Sequence, residues 1–170
     1  MTVVKFVCGI IFMIIIVSSC NDGSQKTMSQ FRGMWKLDKY ESFDSATGKW
    51  NDSPNRIGYT GYILYDGIGH MGVQLLPPGF KDVANYQNID SISGEELKKI
   101  LRLHTTSFSY FGNCVITEGN LIEHHRLSSN NPKEWGTTIK RNFEFKGDTL
   151  ILTAKELIGG LKTRLRWIKV

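Results

Sequence analysis

The residues of this chain that could do chemistry are an adjacent pair, His124-His125, and a set of aromatics placed at alternating positions. An imidazole titrates near neutral pH, so it can move a proton or hydrogen-bond a bound molecule. Neighbouring residues on a strand point to opposite faces, so the two histidines cannot readily share one metal ion. His70 and His104 lack carboxylate or cysteine partners at ligand spacing, and no metal site is expected. One of His124 and His125 should face inward, either to serve a ligand or as a satisfied structural histidine, the commoner fate. Tyr62, Tyr65, Phe108, Tyr110 and Phe143, together with Met71, complete the candidate ligand-binding set. They either line a pocket, with the hydroxyls orienting a guest, or fill a dry core; ordinary burial favours filling.

Other reactive types have plainer readings. Cys114 alternates with Tyr110 and Ile116 in a strand pattern, where a buried small hydrophobe is the expected role rather than a nucleophile. Glu95-Glu96 opens a helix, where negative charge favours the positive end of the dipole; this is capping, not acid–base chemistry. No G-x-x-x-x-G-K-[ST] or G-x-S-x-G pattern occurs, and neither a cofactor nor a catalytic set is implied. The net charge is a mild +5, without a basic run interleaved with aromatics, so nucleic acid is not an expected partner.

The elements that must position these residues are mostly strands. Gly61-Tyr62-Ile63-Leu64-Tyr65 and His70-Met71-Gly72-Val73-Gln74 flank Asp66-Gly67-Ile68-Gly69, the grammar of a β-hairpin. Strand patterns cover about 34–43, 58–65, 70–75, 108–116, 121–127, 138–145, 149–154 and 162–169, with a Gly- and Asp-containing loop through Lys49–Pro54. Ser93-Gly94-Glu95-Glu96 reads as a capping box opening a helix from Gly94 to about His104, packed on or across a barrel end. The chain is therefore expected to be all-β: an eight-stranded antiparallel up-and-down barrel with one α-helix between strands three and four. A β-sandwich could use the same pattern. The 170 residues, 41% hydrophobic and 22% charged, suffice for one domain with a proper core.

The N-terminus has a different character. Lys5 precedes an apolar run, Phe6–Val17, shorter than the roughly 20 residues a spanning helix needs. It ends in Val17-Ser18-Ser19-Cys20, which resembles a bacterial lipobox. That resemblance implies a lipoprotein signal peptide over 1–19 and a diacylglycerol on Cys20. Ordinary secretion with cleavage near Ser19 and an uncleaved anchor are the alternatives. Residues 20–30 are polar and suit a flexible lipidated tether, with the domain spanning 31–170. Cys8 would leave with the signal and Cys20 be acylated, so Cys114 stands alone and no disulfide is expected.

Several of these residues together resemble the lipocalin-like domain family among the calycin barrels. They are Gly33-Met34-Trp35, the hairpin from Gly61 to Gln74, Tyr110-x-Gly112, His124-His125, Arg141, Gly147-Asp148-x-Leu150 and Leu165-x-Trp167. The resemblance implies a barrel holding a hydrophobic or amphipathic small molecule, with barrel closure by a basic side chain stacked on Trp35. The family commonly places arginine where Lys169 stands, so Arg141, Arg164 or Arg166 could take that role; Trp35, Arg141 and Arg166 form the expected closure set. An aromatic is also frequent where Cys114 stands, and a smaller side chain facing inward there would enlarge the cavity.

The leading functional expectation is a membrane-anchored binding protein of the bacterial cell envelope, lipid-anchored at the outer membrane. The alternatives are an isomerase or cyclase using an inward histidine, and a filled-barrel interaction module.

Overall fold

The computed structural model describes residues 22–83 and 89–170. The signal-like segment 1–19 and the Cys20 lipidation position lie outside the described residues.

Helix α1 (Asp22–Phe31) leads into β1 (Gly33–Asp44), β2 (Lys49–Asp52), β3 (Thr60–Tyr65) and β4 (His70–Leu76). Helix α2 (Gly94–Thr106) precedes β5 (Phe108–Glu118), β6 (Leu121–Ser129), β7 (Thr138–Lys146), β8 (Thr149–Ala154) and β9 (Thr163–Lys169). The eight strands β1 and β3–β9 pair antiparallel in chain order, and β9 returns to β1 to close the barrel. Closure leaves no sheet edge to manage within that ring. The ninth strand, β2, folds back on the far half of β1, with Phe43 opposite Trp50. That segment, expected as a loop, is held by ring contact: Phe43 and Trp50 centroids lie 5.2 Å apart, and Arg164 stands 4.4 Å over Trp50.

Two glycines of the family-like pattern let neighbouring backbones approach. A Cβ on Gly61 would fall 2.0 Å from the Gln74 carbonyl oxygen, and one on Gly112 would fall 1.9 Å from that of His125. Gly112 adjoins a register shift between β5 and β6, a bend of the kind that curves a sheet into a barrel.

Helix α1 is additional to the expected elements, whereas α2 stands where expected, between the third and fourth barrel strands, but packs differently. The polar stretch read as a flexible tether through residue 30 is helical from Asp22, with Met28 and Phe31 buried in the core. Phe31 packs edge-on against Tyr65, Phe143 and Phe145 at centroid distances of 4.9, 5.0 and 4.9 Å. Ten residues are too few for an autonomous helix, so α1 owes its order to this docking. Helix α2 starts as read, with Ser93 Oγ accepting from the Glu96 N–H at 3.2 Å. It does not pack across the barrel: none of its residues is buried, and Leu97 and Leu101 are exposed. Its C-terminal end is tied down instead, the Thr106 carbonyl accepting from Arg56 and from the Tyr59 hydroxyl.

Candidate functional site

The barrel divides into a plugged half and a hollow half. On β3, β5 and β7, Tyr65, Cys114 and Phe143 touch α1, and they belong to the solid core. Two to four positions away on the same strands, Ile63, Tyr110 and Arg141 line a cavity of about 320 Å³. The cavity therefore occupies the end opposite the helix. Its wall is mostly apolar, with Val73, Leu75, Phe108, Leu152, Leu165 and Trp167 contributing. Near it stand Arg56 from the turn before β3 and Glu134 from the turn before β7.

Between the two halves lies a polar layer. His124 is fully buried, with Nε2 3.0 Å from the Tyr65 hydroxyl and Nδ1 2.7 Å from the Tyr110 hydroxyl. Burial pushes this imidazole well below its usual range, and Arg141, His125 and Arg126 add repulsion, so it is neutral. Burial also pushes the phenols of Tyr65 and Tyr110 up, keeping both protonated. A neutral imidazole has one donor and one acceptor nitrogen, so His124 donates to one of the two hydroxyls and accepts from the other. Both ring nitrogens are thus spent inside the protein.

Arg141 is the unusual member. It is 5% exposed, its Nη1 has no hydrogen-bond partner, and among the described residues no carboxylate lies within ion-pair distance of it. Trp167 is 1% exposed, lines the same cavity, and its Nε1–H is likewise unpaired. Arg126, by contrast, is matched by Glu134 at 2.9 Å.

Of the eight candidate ligand-binding residues, Phe108 and Tyr110 stand on the cavity wall, stacked edge-on at 5.3 Å. Tyr65 and His124 lie beneath it in the polar layer, and Phe143 and Met71 are buried in the core. Tyr62 is 46% exposed on the outer face. His125 also points outward, with Nδ1 2.8 Å from the Thr138 hydroxyl, as the opposite-face rule requires. Among the described residues no group of three or more His, Cys, Asp or Glu is placed to hold a metal.

The closure set is corrected. Lys169 itself stands over Trp35, 4.2 Å from the ring centre, and donates to the Arg32 carbonyl just past α1. Arg141 faces the cavity, Arg164 pairs with Glu41 at 2.6 Å, and Arg166 lies 3.6 Å from Asp38. An ammonium can serve here because it combines the ring face with a carbonyl at a helix end. Trp35 Nε1 donates to the Phe31 carbonyl at 2.7 Å, so closure and plug form one unit. Cys114 does face inward, but Met28 of α1 fills the space beside it, with the two sulfurs 3.9 Å apart. Burial and the nearby Asp66 charge push its thiol up to about 12, an unreactive state.

The closed barrel, its partly hollow end and the basic residue over Trp35 define a calycin-type barrel. The lipocalin-like domain family model matches residues 32–168, and the chain belongs to that family. Helix α1 precedes the matched region. No curated protein and no solved structure significantly matches the chain.

Proposed function

We propose that this protein binds a hydrophobic or amphipathic small molecule in the hollow half of its barrel. The observation that carries the reading is the cavity itself: about 320 Å³, lined mainly by aliphatic and aromatic side chains. That is near the lower bound for small-molecule sites and about ten times the share of one water molecule. A filled-barrel interaction module has no use for such a space. The isomerase or cyclase reading needs a histidine presented to the cavity, whereas His124 is off the wall with both nitrogens engaged. Binding would draw on burial of ligand apolar surface, roughly 25 cal/mol per Å².

Native mass spectrometry of the full chain, purified from its own host, tests the reading. A co-purifying organic mass released on denaturation is the expected result. A clean apo mass under repeatedly gentle conditions would overturn it.

We also propose that Cys20 carries a lipid and holds the barrel at the cell envelope, at the outer membrane. The Val17-Ser18-Ser19-Cys20 sequence after a short apolar run supports this.

A further inference from the structure

Among the described residues the most exposed large apolar side chain is Ile68, 82% accessible at the tip of the β3–β4 hairpin. Its turn is firmly built. The Asp66 carboxylate accepts from the N–H groups of Ile68, Gly69 and His70 at 2.8, 3.0 and 3.0 Å, and the Asp66 N–H donates to the His70 carbonyl. These backbone groups are satisfied from within, so the tip can leave water without stranding them. The apolar surface continues along the outer wall. Met34 on β1, Leu64 on β3, Gly72 on β4 and Phe111 on β5 share one rung, and all three side chains are exposed. A Cβ on Gly72 would fall 2.7 Å from the Phe111 ring, so that ring lies over the glycine and closes the gap in the row. A continuous apolar patch of this kind marks an interaction surface.

What covers the patch follows from where the chain enters the barrel. Helix α1 starts at Asp22, two residues or about 7 Å of extended chain past Cys20. Gln25, in the first turn of α1, lines one pocket with Ile68 and Val115. At the other end of the helix, a Cβ on Gly67 would fall 2.8 Å from that of Arg32. The anchor position and the hairpin tip therefore share one end of the barrel, and a lipid seated in a bilayer brings Ile68 to the membrane surface. Lys26 on α1 and Lys36 on β1 are exposed at the same end, with stems and ammonium groups suited to the head-group layer.

We propose that the β3–β4 tip and the outer wall of Met34, Leu64 and Phe111 rest on the bilayer, with Ile68 entering it beside the lipid on Cys20. The inference rests on the lipid-anchor reading of Cys20 and adds a contact made by the folded domain itself. A lipid on its own ties down one point and leaves the domain free to turn about it. Apolar side chains inserted beside that point add a second membrane signal and fix the domain's orientation.

The test uses the protein as its own host makes it, reconstituted into phosphatidylcholine vesicles containing doxyl-labelled phosphatidylcholine. A bimane fluorophore is attached in turn to Ile68→Cys, Phe111→Cys and Leu157→Cys. All three positions are exposed, so the substitutions spare the core, and Cys114 is buried away from the reagent. Doxyl lipid should remove most of the emission from positions 68 and 111. It should remove little from position 157, which lines the cavity at the opposite end. In protein that sediments with the vesicles, a loss at 68 no greater than at 157 would overturn the bilayer contact and leave the anchor standing. A loss at 68 with none at 111 would overturn the part assigned to the wall. Labels shielded from aqueous iodide yet untouched by doxyl lipid would place a second copy of the chain on the patch and overturn the proposal. Protein that never joins the vesicles would overturn the anchor reading and this contact with it.

Discussion

His124 is the residue where chemistry and architecture meet. Its two nitrogens join Tyr65 on β3 to Tyr110 on β5, so one neutral ring cross-links strands on different parts of the barrel wall. Because burial lowers its proton affinity, the unfolded chain binds a proton that the folded one refuses. The folded-state value lies below the unfolded one, so this contribution is complete above about pH 6.5 and is lost as the pH falls below it. Urea midpoints followed downward from neutral pH should decline in wild type, and His124→Gln should flatten that decline. The substitution should also cost about 2 kcal/mol at neutral pH, because it removes the buried ring and disturbs its hydrogen bonds to both hydroxyls. An unchanged pH slope in the variant would mean that another group titrates there. Asp66 acts in a separate, lower window. Burial pushes its carboxyl up, but the N–H groups of His70 and Ile68 and the His70 ring outweigh burial and bring it down to about 2. Its contribution is present above about pH 4 and disappears as the pH falls toward 2.

Among the elements, α1 converts a tube into a cup. Phe31 is fully buried under three aromatic rings, and its carbonyl receives the Trp35 indole N–H. Phe31→Ala should cost about 4 kcal/mol in equilibrium denaturation, the usual range for deleting a buried aromatic. Leu101→Ala on the exposed face of α2 should stay within about 0.5 kcal/mol. A similar loss at both positions would contradict the assignment of α1 as plug and α2 as surface element. These two helices also mark what sequence could and could not reveal. Hairpins such as Asp66–Gly69 are written in local turn chemistry, and the capping of α2 by Ser93 is equally local. Helix α1 shows only Met28 and Phe31 as apolar contacts, and its helical state depends on a core assembled from distant strands. The strand β2 was hidden for the same reason, since it is held by Phe43 and Arg164 across the sheet. Arg141 was legible as a motif residue, yet its role was not. Whether it meets Trp35 or the cavity is decided by which end of the barrel its rung occupies. Lys169 occupies the rung opposite Trp35, which is why the lysine serves there despite the expectation of an arginine.

On the scale of the whole molecule, the plug determines how the container would meet a membrane. Helix α1 starts at Asp22, two residues after Cys20, a span of only about 7 Å of extended chain. A lipid on Cys20 would therefore hold the plugged end close to the bilayer and leave the cavity mouth, at the opposite end, toward the aqueous side. A guest would then enter from the aqueous side, and the anchor would act as a mooring rather than as the ligand's route. The testable part is the anchor. In its own host, wild type should incorporate labelled palmitate and sediment with membranes, and Cys20→Ala should lose the label. Wild type that is unlabelled and soluble after cell disruption would overturn anchoring without touching the barrel, because α1 docks through Met28 and Phe31 whether or not a lipid precedes it.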